Sequence, residues 1–295
     1  MLEECDVIEL IRTRTSCRTY DGEPIGAENR TRLQKFLDRE SGAPFGTQVR
    51  LTLIATTEYD RTTARRLGSY GFIKGATGYI AGAVLDVEGA GVLEDFGYAV
   101  ERAVLYATSL GLGTVWLGGT FTRSRFERTL GLRSGESLPA VIALGNIAGS
   151  ARVLGAVIRR GAQADKRLPW EQLFYEAQPE GRGLFETALS RESAGAYETP
   201  LDMVRIGPSA SNKQPWRIVR DNESWHVYMQ RTRGYRPRNA LLGVADMQRI
   251  DMGIALCHFE LTAVQLGLAG HWVFEDPGVL MPGPLTSYVA TWVPG

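Results

Sequence analysis

The longest runs of apolar positions come as a pair. Phe96, Gly97, Tyr98 and Ala99 lead on to Leu105, Ala107, Leu110, Gly111, Leu112 and Trp116, while Met252, Gly253, Ile254 and Ala255 lead on to Leu261, Ala263, Leu266, Gly267, Leu268 and Trp272, at a constant offset of 156 positions. Such self-similarity marks an internal repeat. Each run opens on an aspartate, Asp95 or Asp251, suited to the positive end of a helix, and closes on a glycine suited to a left-handed C-cap. The pattern predicts two helices of about four turns, over 95–111 and 250–267, each leading into an aromatic strand. Apolar residues occupy most of both circumferences, so each helix is expected to be buried on several sides with the other copy as its partner. Leu138 to Leu144 and Leu285 to Thr291 read as strands of central type, one ending each half.

Residues 145–183 carry Gly145, Gly149, Gly155, Gly161, Pro169, Pro179, Gly181 and Gly183 among charges, the composition of a surface crossing. Within it Trp170, Leu173, Phe174 and Tyr175 have helical spacing and are expected to dock. The chain therefore divides into a first half, 1–150, a wrapping arm, 151–183, and a second half, 184–295. With 295 residues, 44% of them hydrophobic, there is enough material for one large or two medium cores. Thirty-three basic and thirty-three acidic residues cancel, so no global field favours nucleic acid or an anionic membrane, and any anion site must be local. Glu101 and Arg102 inside the first apolar run make it a buried helix rather than a membrane span. Cys5, Cys17 and Cys257 fit neither a disulfide framework nor paired zinc spacing, and Glu3, Glu4 and Asp6 precede the first apolar run where a signal peptide would be basic. A reduced, cytoplasmic setting is expected.

Two polar clusters carry the candidate chemistry. Arg14, Thr15, Ser16, Cys17, Arg18, Thr19 and Tyr20 place two guanidinium groups and several hydroxyls within a few residues, suited to a terminal phosphate; a solvated basic turn is the alternative. Pro208, Ser209, Ala210, Ser211, Asn212, Lys213, Gln214, Pro215 and Trp216 offer hydroxyls and carboxamides that donate and accept, suited to the edge of a planar heterocycle; an ordinary polar turn before the strand Trp216 to Val219 is the alternative. Each cluster has a decayed twin, Arg191 to Tyr197 for the first and Gly42 to Val49 for the second. Cys17 reads as a packing cysteine. His226, His258 and His271 show no ligand spacing and default to core or surface roles. Arg231 to Arg238 interleaves basic and aromatic residues and reads as a solvated loop over the site entrance.

Taken together, Arg14 to Tyr20 with Pro24 and Ile25, the Pro208 to Trp216 loop, and the Gly111 to Gly119 segment resemble the FMN-dependent nitroreductase family, in its single-chain tandem branch, over nearly the whole chain. The resemblance implies an α+β, nitroreductase-like fold in which two tandem pseudo-symmetric halves form an intramolecular dimer. It also implies FMN as cofactor and NADH or NADPH as reductant, with hydride passing through the flavin to a small acceptor such as a nitroaromatic, a quinone or an enone. Position by position, Arg14, Thr15, Ser16 and Arg18 match phosphate and ribityl contacts, and Pro208, Ser209, Ala210, Ser211, Asn212 and Gln214 match the loop supplied by the partner subunit. Leu117, Gly118 and Gly119 match the turn whose amide faces the ring, although the family usually has glutamate at Gly118. Lys166 and Arg167 match a basic pair in the arm that reaches back to the phosphate. No catalytic acid, base or nucleophile is implied. Charge near the reduced ring falls to Lys213, Arg217 or a basic residue of the arm.

The decayed twins then have a meaning. At the mirror-related position Gly195 replaces Arg18 and Glu192 replaces Thr15, which removes a cation and adds an anion where a phosphate would sit. One FMN per chain is expected, in a monomer whose dimer interface is internal, with a small-molecule acceptor as the only partner and neither nucleic acid nor membrane involved. Residues 58–75, including Lys74, and 228–247 are expected to shape the acceptor pocket. A flavin-carrying protein without turnover would use the same site.

Overall fold

The computed structural model describes residues 2–40, 42–57, 73–119, 121–149, 166–177, 185–241, 243–276, 278, 283 and 285–295. Most of the pocket segment 58–75 and all of the arm before Lys166 lie outside the described residues. The first half contains α1 (Val7–Thr13), α2 (Ala27–Arg39), β1 (Arg50–Ala55), β2 (Gly78–Leu85), α3 (Val92–Ser109), β3 (Leu112–Leu117), α4 (Arg123–Leu130), β4 (Glu136–Ser137) and β5 (Val141–Asn146). The remainder contains β6 (Phe174–Glu176), α5 (Arg191–Ala194), α6 (Glu198–Arg205), β7 (Trp216–Asp221), β8 (Ser224–Gln230), α7 (Tyr235–Leu241), α8 (Met247–Gln265), β9 (Gly270–Val273) and β10 (Thr286–Pro294).

Two antiparallel sheets repeat one strand order. The first runs β1-β2-β5-β3, with β4 appended to β2, and the second runs β7-β8-β10-β9. In each, the long helix lies between the second and third strands of the order in sequence, and the last strand is central, as its apolar composition predicts. The second sheet gains one further strand, because β6 pairs parallel with the outer edge of β7. The arm is thereby stitched to the second half.

The helices α3 and α8 pack face to face through their glycines. A Cβ on Gly97 would overlap the carbonyl oxygen of Ile250, and one on Gly253 would overlap that of Glu94. Gly97 and Gly253 are repeat equivalents, and so are Glu94 and Ile250, so one contact is made twice about a pseudo-twofold axis, as in an isologous dimer interface. One hydrophobic core runs through both halves, from Leu2 and Val104 to Phe259 and Trp292. Both helices end as predicted, on Gly111 and Gly267 with φ of +75° and +73°. Among the described residues no helix is long and apolar enough to cross a membrane.

Three expectations need correction. The long helices start about a turn earlier than predicted, at Val92 and Met247, because Asp95 and Asp251 do not cap them: both carboxylates are buried inside the helix and bind main-chain N–H groups elsewhere. The two central strands are displaced toward the C-terminus, to Val141–Asn146 and Thr286–Pro294; Pro139 cannot donate to a ladder, so pairing starts beyond it. Trp170 to Tyr175 forms no α-helix but a 3-10 turn, Trp170–Gln172, followed by β6. The free edge of β7 decides this, with Ile218 N donating to Leu173 O at 2.9 Å, and tertiary pairing overrides a short helical spacing.

Candidate functional site

The first polar cluster is buried at Arg14, Cys17 and Tyr20 and exposed at Thr15, Ser16 and Arg18. Gln265 at the end of α8 accepts from the N–H groups of Val7 and Ile8, which pins α1 against the second half. Arg14 caps α1, its N–H donating to Leu10 O at 2.9 Å. The residue is 8% exposed, and among the described residues its Nε has no hydrogen-bond partner. Burial pulls the guanidinium below its ordinary pKa, opposed by the charge of Glu101 on α3. The chain then runs along β3, with Ser16 bridging Thr114 and Cys17 N donating to Thr114 O at 2.8 Å. Thr15, Ser16 and Arg18 face solvent beside the buried Arg14. Cys17 is buried, and burial raises its thiol above the ordinary value, as befits a packing role.

The second cluster is a tightly folded loop. Ser211, Asn212 and Gln214 sit at φ of +52°, +53° and +48°, a left-handed backbone that costs non-glycine residues about 1 kcal/mol or more each. Several bonds hold it there. Ala210 N donates to Asp251 Oδ1 at 2.9 Å, and Gln214 N donates to Ser209 Oγ at 2.9 Å. Asn212 Nδ2 donates to Lys166 O, Leu168 N donates to Gln214 Oε1, and Arg167 donates to Asn212 Oδ1 and Ile206 O. The main chain of Lys166 and the side chain of Arg167 are thus brought to this loop. Asp251 is fully buried, and the loss of water raises its carboxyl well above the ordinary value.

The second-half helix α8 joins the walls. The turn after β3 leans on its start: a Cβ on Gly118 would lie 2.6 Å from Met247 Sδ, and one on Gly119 would lie 2.9 Å from Val244 Cγ2. Met247 and Asp251 are one turn apart, so Leu117–Gly119 of the first half and the Pro208 to Gln214 loop of the second rest on the same end of α8. Further along, His258 is held between Glu101 and Met203 O and underlies Gly207, the residue before the loop.

The twin of this arrangement is built differently. Arg191 is turned outward, paired with Glu198 at 2.8 Å and Asp202 at 3.4 Å, with its guanidinium 4.3 Å from the Trp170 ring. Asp95 accepts from Phe45 N and Thr47 N at 2.8 and 2.7 Å, the same anchor that Asp251 gives Ala210, on a loop without the Asn and Trp. Residues 235–241 form α7 rather than a solvated loop, with Arg231 and Arg236 paired to Asp246. Tyr235 Oη lies 3.4 Å from Ser211 Oγ, so this helix borders the second wall. Arg217 is committed to the carbonyl oxygens of Gln214 and Trp216, whereas Lys213 and Lys74 are exposed. The sequence placed Glu101 in a buried helix and left His258 to a core or surface role; that the two meet is set by the helix crossing.

Two pseudo-symmetric α+β halves, clasped through a helix pair, define a single-chain counterpart of a dimeric α+β protein. Residues 6–263 match the profile of the family described as "Putative TM nitroreductase", and the chain belongs to this nitroreductase family. A putative nitroreductase from Thermotoga maritima has a similar structure over 98% of this chain and 93% of its own, with 15% identity and a TM-score of 0.58. A nitroreductase with bound FMN from Bacteroides fragilis is similar over 49% of this chain and 89% of its own, at 21% identity and a TM-score of 0.37. An FMN-dependent nitroreductase from Clostridium difficile is similar over 48% and 87%, at 19% identity and a TM-score of 0.39. No curated protein matches the sequence.

Proposed function

We propose that the chain is an FMN-dependent NAD(P)H oxidoreductase of nitroreductase type, with one flavin site built by both halves. The observation that carries this reading is the buried Arg14, whose Nε lacks a partner among the described residues. A buried guanidinium with a donor left unused is costly unless an anion completes it, and the terminal phosphate of FMN is such an anion. Thr15, Ser16 and Arg18 lie beside it with donors toward solvent, a donor set that fits phosphate and ribityl oxygens.

Bound FMN would supply two-electron chemistry, accepting from NADH or NADPH and giving to a small acceptor such as a nitroaromatic, a quinone or an enone. The chain's part is to bind and orient. Pro208, Ser209, Ala210, Ser211, Asn212 and Gln214 form the opposing wall. Because Asn212 and Gln214 are bonded to the arm through Lys166, Arg167 and Leu168, they fix the loop's shape, and the arm becomes part of the site. Leu117, Gly118 and Gly119 approach from the first half and exclude water against Met247 and Val244. Lys213 is the basic residue of the loop placed to balance charge on a reduced ring.

Purified protein titrated with FMN should bind one equivalent per chain, and NADH or NADPH should bleach the flavin absorbance under anaerobic conditions. Failure to bind flavin overturns the reading. Flavin that binds but is bleached by neither nicotinamide makes the chain a flavin carrier.

A further inference from the structure

Between β8 and α8 the chain makes a long connection, 231–246, that its twin lacks. It carries four arginines, Arg231, Arg233, Arg236 and Arg238, against one carboxylate, Asp246, in a chain of zero net charge. The twin connection between β2 and α3, 86–91, is short and carries Asp86 and Glu88 with no cation. The two sides of the pseudo-dimer are thus opposite in local charge at this position.

This connection is fixed between the two walls of the site. Gln230 N donates to Pro215 O at 2.7 Å, just before the arginines begin. Thr232 N donates to the side chain of the buried Gln248 at 3.2 Å, and Arg231 pairs with Asp246 at 2.8 Å, so the connection is tied to the start of α8. Tyr235 Oη lies 3.4 Å from Ser211 Oγ on the second wall, and Val244 Cγ2 would lie 2.9 Å from a Cβ on Gly119 of the first. Arg233 follows the tethered Thr232, is exposed, and pairs with no carboxylate among the described residues. Arg236 has 58% of its side chain exposed, and its Nε stands 3.6 Å from Asp246, a carboxylate already taken by Arg231.

NADH and NADPH share the nicotinamide, both riboses and the pyrophosphate, and differ where the adenosine ribose carries a 2′-hydroxyl or a 2′-phosphate. A free carboxylate selects the hydroxyl by accepting from it, whereas a free guanidinium selects the phosphate by charge and by paired N–H donors. The connection offers the guanidinium and withholds the carboxylate, because Asp246 is occupied. We propose that Arg233, aided by Arg236, recognises the 2′-phosphate of NADPH, which makes NADPH rather than NADH the reductant of this chain. This deepens, and rests on, the reading of the chain as an FMN-dependent oxidoreductase.

In the test, FMN-loaded protein is mixed anaerobically with NADPH or NADH at low ionic strength, where an exposed charge is least screened. The dependence of flavin bleaching on nicotinamide concentration gives an apparent Kd for each. Wild type should bind NADPH about tenfold or more tighter than NADH. Arg233→Ala should weaken NADPH about tenfold and leave NADH nearly unchanged, at an unaltered limiting rate of bleaching. Calorimetric titration with adenosine 2′,5′-bisphosphate and with 5′-AMP, which contain no nicotinamide, should show the same preference in wild type and its loss in the variant. Equal affinity of wild type for the two nicotinamides overturns this proposal alone. So does an Arg233→Ala variant that weakens both equally, which assigns the arginine to the shared pyrophosphate, or one that weakens neither. A protein that binds no flavin, or whose flavin neither nicotinamide bleaches, overturns the oxidoreductase reading and this with it.

Discussion

Asp251 shows how one residue serves two structures at once. It lies inside α8, yet its Oδ1 accepts from Ala210 and so fixes the left-handed turn through Ser211 and Asn212. Its Oδ2 is buried with no partner among the described residues, and burial raises its pKa well above the ordinary value. The folded state therefore holds a proton that the unfolded chain has released. Stability contributed by this group is full below the unfolded carboxyl pKa and is lost as pH rises toward the folded value, with a limiting slope of about 1.4 kcal/mol per pH unit. D251N keeps an acceptor for Ala210 and removes the titration. Urea unfolding across pH 4 to 8 should show D251N gaining on wild type as pH rises. A constant difference across that range would mean that Asp251 is ionised in the fold.

At the level of elements, the α3–α8 contact depends on the absence of two side chains. A Cβ at Gly253 meets the Glu94 carbonyl, a backbone atom that cannot rotate away, so the helices must separate along a face that is buried over most of its length. Gly253→Ala should cost about 3 kcal/mol or more by urea unfolding. Gly42→Ala, where a Cβ meets nothing within 4 Å, should change stability by no more than about 0.5 kcal/mol. Equal effects would mean the helix contact is not the constraint. The arm illustrates the opposite case: Phe174 is fully buried and Tyr175 is nearly so, as their apolar character predicts, but the secondary structure they adopt belongs to the strand that receives them.

For the whole molecule, the pseudo-dimer is unequal by construction. Repeat equivalents keep the helix contact and the loop-anchoring aspartates, while the arginines part company: Arg14 is buried, and Arg191 is spent on Glu198, Asp202 and Trp170. Arg14→Gln and Asn212→Ala should each weaken FMN binding about tenfold or more, from opposite halves, whereas Arg191→Ala should leave the affinity and the stoichiometry of one FMN per chain unchanged in a flavin titration. Equal losses from all three would mean that both pseudo-sites are occupied. Because the interface that joins two subunits in a dimer is internal here, the chain should sediment as a monomer at dilute concentration.

Much of this was legible in the order of residues. Apolar periodicity marked both long helices and their mutual burial, and left-handed glycines marked their ends. The constant offset marked the repeat, and the two polar clusters stood out by composition. These are local properties, carried by spacing and by conformational cost within a few residues. Other features required the folded chain: that Arg14 is buried and Arg191 is not, that Asp95 and Asp251 anchor loops instead of capping helices, that the arm becomes a strand of the second sheet, and that Glu101 meets His258 across the helix crossing. Each depends on which distant backbone group or charge lies within a few ångströms, a separation that only the packing of the two halves sets.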